Sequence, residues 1–174
     1  MTCLRRIGFA LLAGCLLASP VQGQFPWSKR NAAAEGEHRT GSIPWRTDVA
    51  AGMKEAREKR KLVFLHFSGK NCPPCRTFEE KVLQRNDVAV ALLARYVPIY
   101  IVVENSPDLV EQYQVRGWPT DVLLDSDGRE IARQISPQDP REFIKRISTI
   151  ANKHQAGQFA TIANVRAAVA ADVL

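Results

Sequence analysis

The chain has 174 residues, with 24 basic and 18 acidic side chains and a formal net charge of +6. This length suits one ordinary domain with its own hydrophobic core. Two of the positive charges, Arg5 and Arg6, lie in a segment that we expect to be removed. The remaining charge of about +4 is too weak and too dispersed to indicate nucleic-acid binding.

The first 23 residues resemble an export signal, because two arginines precede the apolar run Ile7–Ala18. This run is too short to span a bilayer comfortably. Small residues at Val21–Gly23 favour ordinary cleavage there. Leu12–Cys15 resembles a bacterial lipobox, and that alternative would end the signal before Cys15 and lipidate this cysteine. In both cases we expect an exported protein in the periplasm or cell envelope.

Residues 24–42 are small and polar, which predicts a flexible linker. We expect the folded domain to cover residues 43–153. The alanine-rich residues 154–174 predict a C-terminal tail, either a short extra helix or a loose end. Within the domain, apolar periodicity and capping residues predict helices at Asp48–Arg60, Pro73–Leu83, Asn86–Arg95, Pro107–Tyr113 and Arg141–Lys153, and strands at Leu62–Phe67, Val97–Val103, Val122–Leu124 and Glu130–Ile135.

This order of elements predicts an α/β fold with a central mixed sheet between layers of helices. The nearly continuous apolar run Leu62–Phe67 is typical of a central strand that is covered on both faces. The segment Asp125–Gly128 is a strong turn signal, so the last two strands should form a hairpin.

The sequence Cys72-Pro73-Pro74-Cys75 follows the first predicted strand and starts a helix. Cysteines three apart lie on one helical face and are close enough to form a disulfide. At the N-cap, the Cys72 sulfur meets the positive end of the helix dipole, which favours an attacking thiolate. Because two prolines intervene, the nearest remaining N–H is the amide of Cys75. We expect Cys75 to be more buried and to resolve the mixed disulfide.

Two other uses of the cysteine pair are less consistent with the sequence. A zinc site needs about four ligands, usually from two such pairs. The chain has no second Cys-x-x-Cys, and its histidines, at positions 38, 66 and 154, are scattered, so no metal site is expected. A purely structural disulfide closing so short a loop would constrain the unfolded chain little. The strand–loop–helix context favours redox use.

Taken together, four motifs make residues 43–153 resemble thioredoxin-fold proteins, most of all the exported thioredoxin-like proteins of bacteria. These motifs are Ile43-Pro44-Trp45, the Cys-Pro-Pro-Cys sequence, the hairpin with Asp127-Gly128, and Val115-Arg116-Gly117-Trp118-Pro119-Thr120, which is similar to the family's Val-x-Gly-x-Pro-Thr.

This resemblance implies that the Trp118–Pro119 peptide bond is cis and packs against the disulfide, an uncommon geometry that proteins keep for a specific purpose. The backbone of Trp118 would then be free to pair with an extended substrate strand. Pro119, Pro73 and Pro74 would support the active site, and Trp118 and Thr120 would contact the substrate. For Trp118, a place in the core is an equally open alternative.

The sequence departs from the family pattern at two positions. Many thioredoxins carry a buried aspartate six residues before the first cysteine, where this chain has His66, and an aromatic residue just before that cysteine, where it has Asn71. His66 would either accept the proton of Cys75 near neutral pH or be a buried, hydrogen-bonded side chain without a kinetic role.

We therefore expect a thiol–disulfide oxidoreductase that acts on protein or peptide disulfides outside the cytoplasm, through Cys72 as nucleophile and Cys75 as resolving thiol. Such an enzyme needs no bound cofactor, but a partner must restore its redox state, and a membrane-linked partner would suit an exported reductase. Reduction is the favoured direction, and we expect a monomer. The alternative is a non-catalytic module that binds cysteine-containing polypeptides or metal.

Overall fold

The computed structural model describes residues 42–171, with side chains as far as Gln155 and at positions 157 and 161. The predicted signal peptide, Cys15 and nearly all of the predicted linker lie outside the described residues. Among the described residues, no helix is both long enough and apolar enough to cross a membrane.

The helices and strands follow the predicted order, with small differences at their ends. They are α1 Val49–Lys59, β1 Leu62–Ser68, α2 Pro73–Phe78, a π-helical turn Glu79–Leu83, α3 Asn86–Arg95, β2 Tyr96–Val102, a 3₁₀ turn Val103–Asn105, α4 Pro107–Gln112, β3 Thr120–Leu124, β4 Glu130–Ile135 and α5 Pro140–Ala171.

The four strands form one mixed sheet in the order β2-β1-β3-β4. β1 pairs in parallel with β2 and antiparallel with β3, and β3 and β4 form the predicted hairpin. In the turn of that hairpin, Gly128 has a φ of 88°, a conformation in which a residue without a Cβ is unstrained. The predicted α/β fold with a central mixed sheet is confirmed.

The sheet is packed on both faces, which accounts for the long apolar run of β1. Alternate residues of a strand point to opposite faces. Val63, Leu65 and Phe67 therefore join α1 in one buried cluster. Phe64 joins the other cluster, which includes side chains of α2, α3 and α5 such as Phe78 and Phe143. β1 is thus fixed from four sides, by two strands and two layers of helices.

The motif helix differs from prediction in its winding, and the last helix differs by more than one residue at its end. The motif helix, residues Pro73–Leu83, has the expected extent, but its second half, Glu79–Leu83, is wound as a π-helix. The spacing of its apolar residues fits either winding. The last helix was expected to end near Lys153 but continues to Ala171, because its alanine-rich continuation has high helix propensity and contains no proline.

Candidate active site

The two cysteines lie where β1 passes into the motif helix, and they form a disulfide with their Cα atoms 5.2 Å apart. Cys72 is the N-cap of α2 and Pro73 is at its first position, as predicted. The Cys75 amide donates a hydrogen bond to Cys72 Sγ at 3.1 Å. Because prolines occupy the two intervening positions, this amide is the donor that the local sequence leaves for the sulfur.

The two sulfur-bearing residues differ in exposure in the expected order. Cys75 is 1% exposed and Cys72 is 4% exposed, whereas Pro73 and Pro74 are on the surface. The prolines therefore form an apolar surface beside the disulfide. The Pro74 carbonyl accepts a hydrogen bond from Gln138, which ties the motif to the segment before α5.

The Trp118–Pro119 peptide bond is cis, as the resemblance implied. The Trp118 carbonyl oxygen lies 3.7 Å from Cys72 Sγ, so this loop packs directly against the disulfide. Pro119 is buried, and its carbonyl accepts a hydrogen bond from the Ser136 amide. Thr120 is also buried, and its hydroxyl donates to the Gly117 carbonyl at 2.7 Å. The Thr120 side chain thus stabilises the loop from a buried position, and its contact with a substrate stays a prediction.

Trp118 lies on the surface, with 41% of its area exposed. Its indole lies over Gly69, where an added Cβ would be only 2.6 Å from Nε1. The indole also lines a groove of about 640 Å³ beside α4, with Val110 and Val115 among its apolar residues. Trp118 therefore does not lie in the core, and its contact with a substrate stays a prediction. The sequence analysis did not single out Gly69, although its place between β1 and the cysteine motif was a signal that it could contact the site.

His66 is completely buried and is held by Asp121. The Nδ1 atom of His66 lies 2.8 Å from Asp121 Oδ1, and neither side chain is exposed to solvent. Around the imidazole, the nearest rings are those of Phe78 and Tyr100, whose centroids lie 5.3 and 5.4 Å away, and that of Trp45, at 5.8 Å. The Nε2 atom has no hydrogen-bond partner among the described residues. This environment agrees with the structural alternative for His66.

Asp121 is the centre of a small buried network that the sequence analysis missed. Its carboxylate accepts hydrogen bonds from Ser136 Oγ at 2.9 Å and Gln134 Nε2 at 3.0 Å, in addition to the imidazole. The sheet register places Asp121 directly opposite His66. The sequence contains one ionisable residue in each of two apolar strands, His66 and Asp121. That these two residues pair could not be found without the strand register.

A second missed carboxylate lies closer to the cysteines. Glu79 is 6% exposed and follows Cys75 by four residues in the motif helix. Its Oε1 atom accepts hydrogen bonds from Ser68 Oγ at 2.9 Å and from Tyr100 Oη at 2.6 Å. Burial, followed by the hydrogen bond to Glu79, raises the pKa of Tyr100 well above its ordinary value, so this phenol remains protonated.

Among the described residues, no group of three or more histidine, cysteine or acidic side chains is arranged to hold a metal ion. The candidate site therefore consists of the disulfide, the cis-proline loop and the buried polar side chains behind them. This fold and this arrangement define a thioredoxin-fold protein with a cysteine pair at the start of its motif helix.

The chain belongs to the thioredoxin-like domain family, whose model matches residues 49–151. It is 31% identical to a thioredoxin from Chlamydia trachomatis over 94 residues, which are 54% of this chain and 83% of that protein. It is 29% identical to thioredoxin-2 from Pyricularia oryzae over 92 residues, or 53% of this chain, and spans only 51% of that relative. The solution structure of a thioredoxin from Thermus thermophilus has a TM-score of 0.57 and 25% identity, covering 63% of this chain and 87% of its own.

Proposed function

We propose that this protein is a thiol–disulfide oxidoreductase that acts on protein or peptide disulfides, with reduction the favoured direction. The observation that carries the proposal is the Cys72–Cys75 disulfide packed against the carbonyl of Trp118 in a cis-proline loop. This arrangement gives an incoming sulfur and a substrate backbone adjacent binding positions, and the membership in the thioredoxin-like family supports it.

In the reducing direction, the Cys72 thiolate attacks one sulfur of the substrate disulfide. A bond forms between Cys72 and that sulfur, and the other substrate sulfur leaves as a thiolate. The helix N-terminus and the Cys75 amide both favour negative charge on the Cys72 sulfur. The Cys75 sulfur then attacks Cys72, the second substrate thiolate leaves, and the disulfide of the structure is restored. The oxidising direction is the reverse sequence.

The loop beside the disulfide is suited to hold an extended polypeptide. The backbone of Trp118 lies next to Cys72, and its exposed indole offers an apolar contact for the substrate chain. We also propose that the protein acts outside the cytoplasm, as its signal-like first 23 residues and the lipobox-like sequence that ends at Cys15 suggest, and that a membrane-linked partner restores the dithiol. No bound cofactor takes part in this reaction, because the cysteines themselves carry the electrons.

The test compares wild-type protein with Cys72→Ser and Cys75→Ser variants, all reduced and freed of reductant. Wild type should reduce insulin disulfides catalytically when a dithiol regenerates it. Cys72→Ser should be inactive, and Cys75→Ser should accumulate a mixed disulfide detectable by mass. If wild type failed to exchange with any disulfide, the oxidoreductase proposal would be wrong, and stoichiometric uptake of a metal or of a cysteine-containing polypeptide by the reduced protein would favour a binding module.

Direction is decided by the reduction potential of the Cys72–Cys75 pair, equilibrated against defined thiol buffers. Potentials of proteins with this chemistry range from about −270 to about −120 mV. A value near the low end supports reduction and a dedicated electron donor. A value near the high end would replace the reductase assignment by that of an oxidant.

A further inference from the structure

Resolution of the mixed disulfide requires Cys75 to lose a proton in a place that water barely reaches. Cys75 is 1% exposed, and only its thiolate is an effective nucleophile. A base within reach of this sulfur would therefore control the second step of the exchange. His66, for which the sequence analysis left a proton-accepting role open, is bound to Asp121 and surrounded by aromatic rings.

Glu79 has the position that such a base needs. Its amide donates a hydrogen bond to the Cys75 carbonyl, so one regular helical turn separates the two residues. Side chains four apart lie on the same helical face, with about 5–6 Å between their Cβ atoms. Both of these side chains are buried, Cys75 with 1% and Glu79 with 6% of its area exposed. Side chains at this spacing can bring a carboxylate within hydrogen-bond reach of a thiol, either directly or through one water, as a general base requires.

The contacts of Glu79 hold its carboxylate in place. Ser68 Oγ and Tyr100 Oη both donate to Oε1, one from β1 and the other from β2, so the side chain bridges the two parallel strands. Hydroxyl donors favour the ionised form of a carboxylate. Because the Tyr100 phenol keeps its proton, it remains a donor to this oxygen. A carboxylate held in this way can accept a proton without rearrangement of its surroundings.

We propose that Glu79 is the base that takes the proton of Cys75 in the resolving step, an assignment that rests on the proposed exchange reaction. The proton passes from Cys75 Sγ to a carboxylate oxygen of Glu79. The new thiolate forms a bond to Cys72 Sγ, and the bond from Cys72 to the substrate sulfur breaks with its electron pair on the leaving thiolate. Glu79 afterwards releases the proton to that thiolate or to water, so atoms and electrons balance.

Other ionisable groups near the carboxylate must be distinguished from it in a pH experiment. On β1, the His66 ring lies 5.4 Å from that of Tyr100, and on β3 Asp121 holds this histidine. Glu104, in the 3₁₀ turn, is exposed and adds to the rise in the pKa of Tyr100. The other charged residues of the motif helix are exposed: Arg76, Glu80 and Lys81.

The test separates the two steps of exchange with an aromatic disulfide, whose thiolate absorbs on release. Attack by Cys72 is measured alone in a Cys75→Ser background, and resolution is measured as the second thiolate release in the dithiol protein. Glu79→Gln keeps the shape and an acceptor oxygen for both hydroxyls. It should leave the first step within about twofold of the parent and slow the second about tenfold or more near neutral pH. Glu80→Gln is the matched control, because it removes an exposed charge one residue away, and it should change neither step.

The pH profile distinguishes a proton acceptor from a structural residue. In Glu79→Gln the second step should lose the wild-type rate near neutral pH and approach it only in alkaline solution, where the Cys75 thiol gives its proton to hydroxide. Tyr100→Phe keeps the carboxylate but removes its closest donor, so the rise of the second-step rate should move to higher pH. If the Glu79→Gln variant did not fold, the Tyr100→Phe profile would decide. Wild-type rates and profiles in these variants would refute the role of Glu79, whereas a wild type without any first step would refute the oxidoreductase proposal.

Discussion

Replacing Asp121 by leucine should destabilise the protein strongly, because the buried His66–Asp121 pair would be broken on one side. The carboxylate is fully buried and accepts hydrogen bonds from His66, Ser136 and Gln134. Each buried donor left without a partner costs about 1–3 kcal/mol, and two of these donors, on His66 and Ser136, are themselves buried. We therefore expect a loss of about 2–6 kcal/mol, the cost of leaving these two buried donors without a partner.

The assay is denaturant unfolding of the oxidised protein, followed as a shift of the midpoint at an unchanged slope. A double-mutant cycle with His66→Leu tests whether the two side chains stabilise the fold through each other. When leucine replaces both partners, neither leaves an unpaired buried group of the other. The double variant should therefore lose at least about 1 kcal/mol less unfolding free energy than the sum of the losses in the two single variants. If His66 is structural, the double variant should also keep the wild-type pH profile of disulfide exchange.

Two results would contradict this reasoning. A loss below about 1 kcal/mol in Asp121→Leu would mean that the three hydrogen bonds contribute little to the fold. Additive losses in the cycle would mean that His66 and Asp121 do not depend on each other. A changed pH profile in the double variant would instead return His66 to consideration as a proton acceptor.

Two further predictions concern the hairpin turn and the substrate surface. Asp125 accepts hydrogen bonds from the Asp127 and Arg129 amides and from the Arg129 side chain. Burial opposes the negative charge of Asp125, but the bonds from Arg129 outweigh burial and lower the pKa of Asp125. The Asp125 carboxylate therefore stabilises the fold above its unfolded pKa of about 3.9, and it loses that contribution as the pH falls through its lower folded pKa. Asp125→Asn should consequently show a shallower loss of unfolding free energy below about pH 4. Identical slopes of unfolding free energy against pH in the two proteins would count against this prediction. Trp118→Ala should lower the rate of insulin reduction about tenfold but change the rate with a small aromatic disulfide less than twofold. The reason is that only a polypeptide extends over the indole. Equal losses with both substrates would show that Trp118 supports the cysteines and not the substrate.

The elements of the fold could be predicted because their signals are local. An apolar run such as Leu62–Phe67 allows burial on both faces, and Asp125–Gly128 allows few structures other than a tight turn. The N-cap position of Cys72 and the single amide available to its sulfur also follow from two prolines in sequence. These features need no knowledge of distant residues.

The buried polar residues could not be predicted, because each depends on a partner far along the chain. His66 and Asp121 are 55 positions apart, and the sequence between them does not reveal the strand register that places them face to face. Glu79 lies in a helix with exposed acidic and basic neighbours, so its sequence pattern is that of a surface residue. Its burial is decided by Ser68 and Tyr100, which lie on two different strands.

The central place of β1 determines which parts of the protein can open without moving the cysteines. β4 has several exposed side chains, including Ile135, and among the described strands it lies at the edge and pairs with β3 alone. Its amides should exchange with solvent through local openings of low free energy, while those of β1 exchange only when the sheet itself unfolds. The loop that carries Cys72 begins where β1 ends, so the disulfide is attached to the slowest-exchanging part of the chain. Local openings of β4 should therefore leave β1 in place, and the edge is connected to the site at Ser136, which follows the strand and whose amide donates to the Pro119 carbonyl in the loop beside the disulfide.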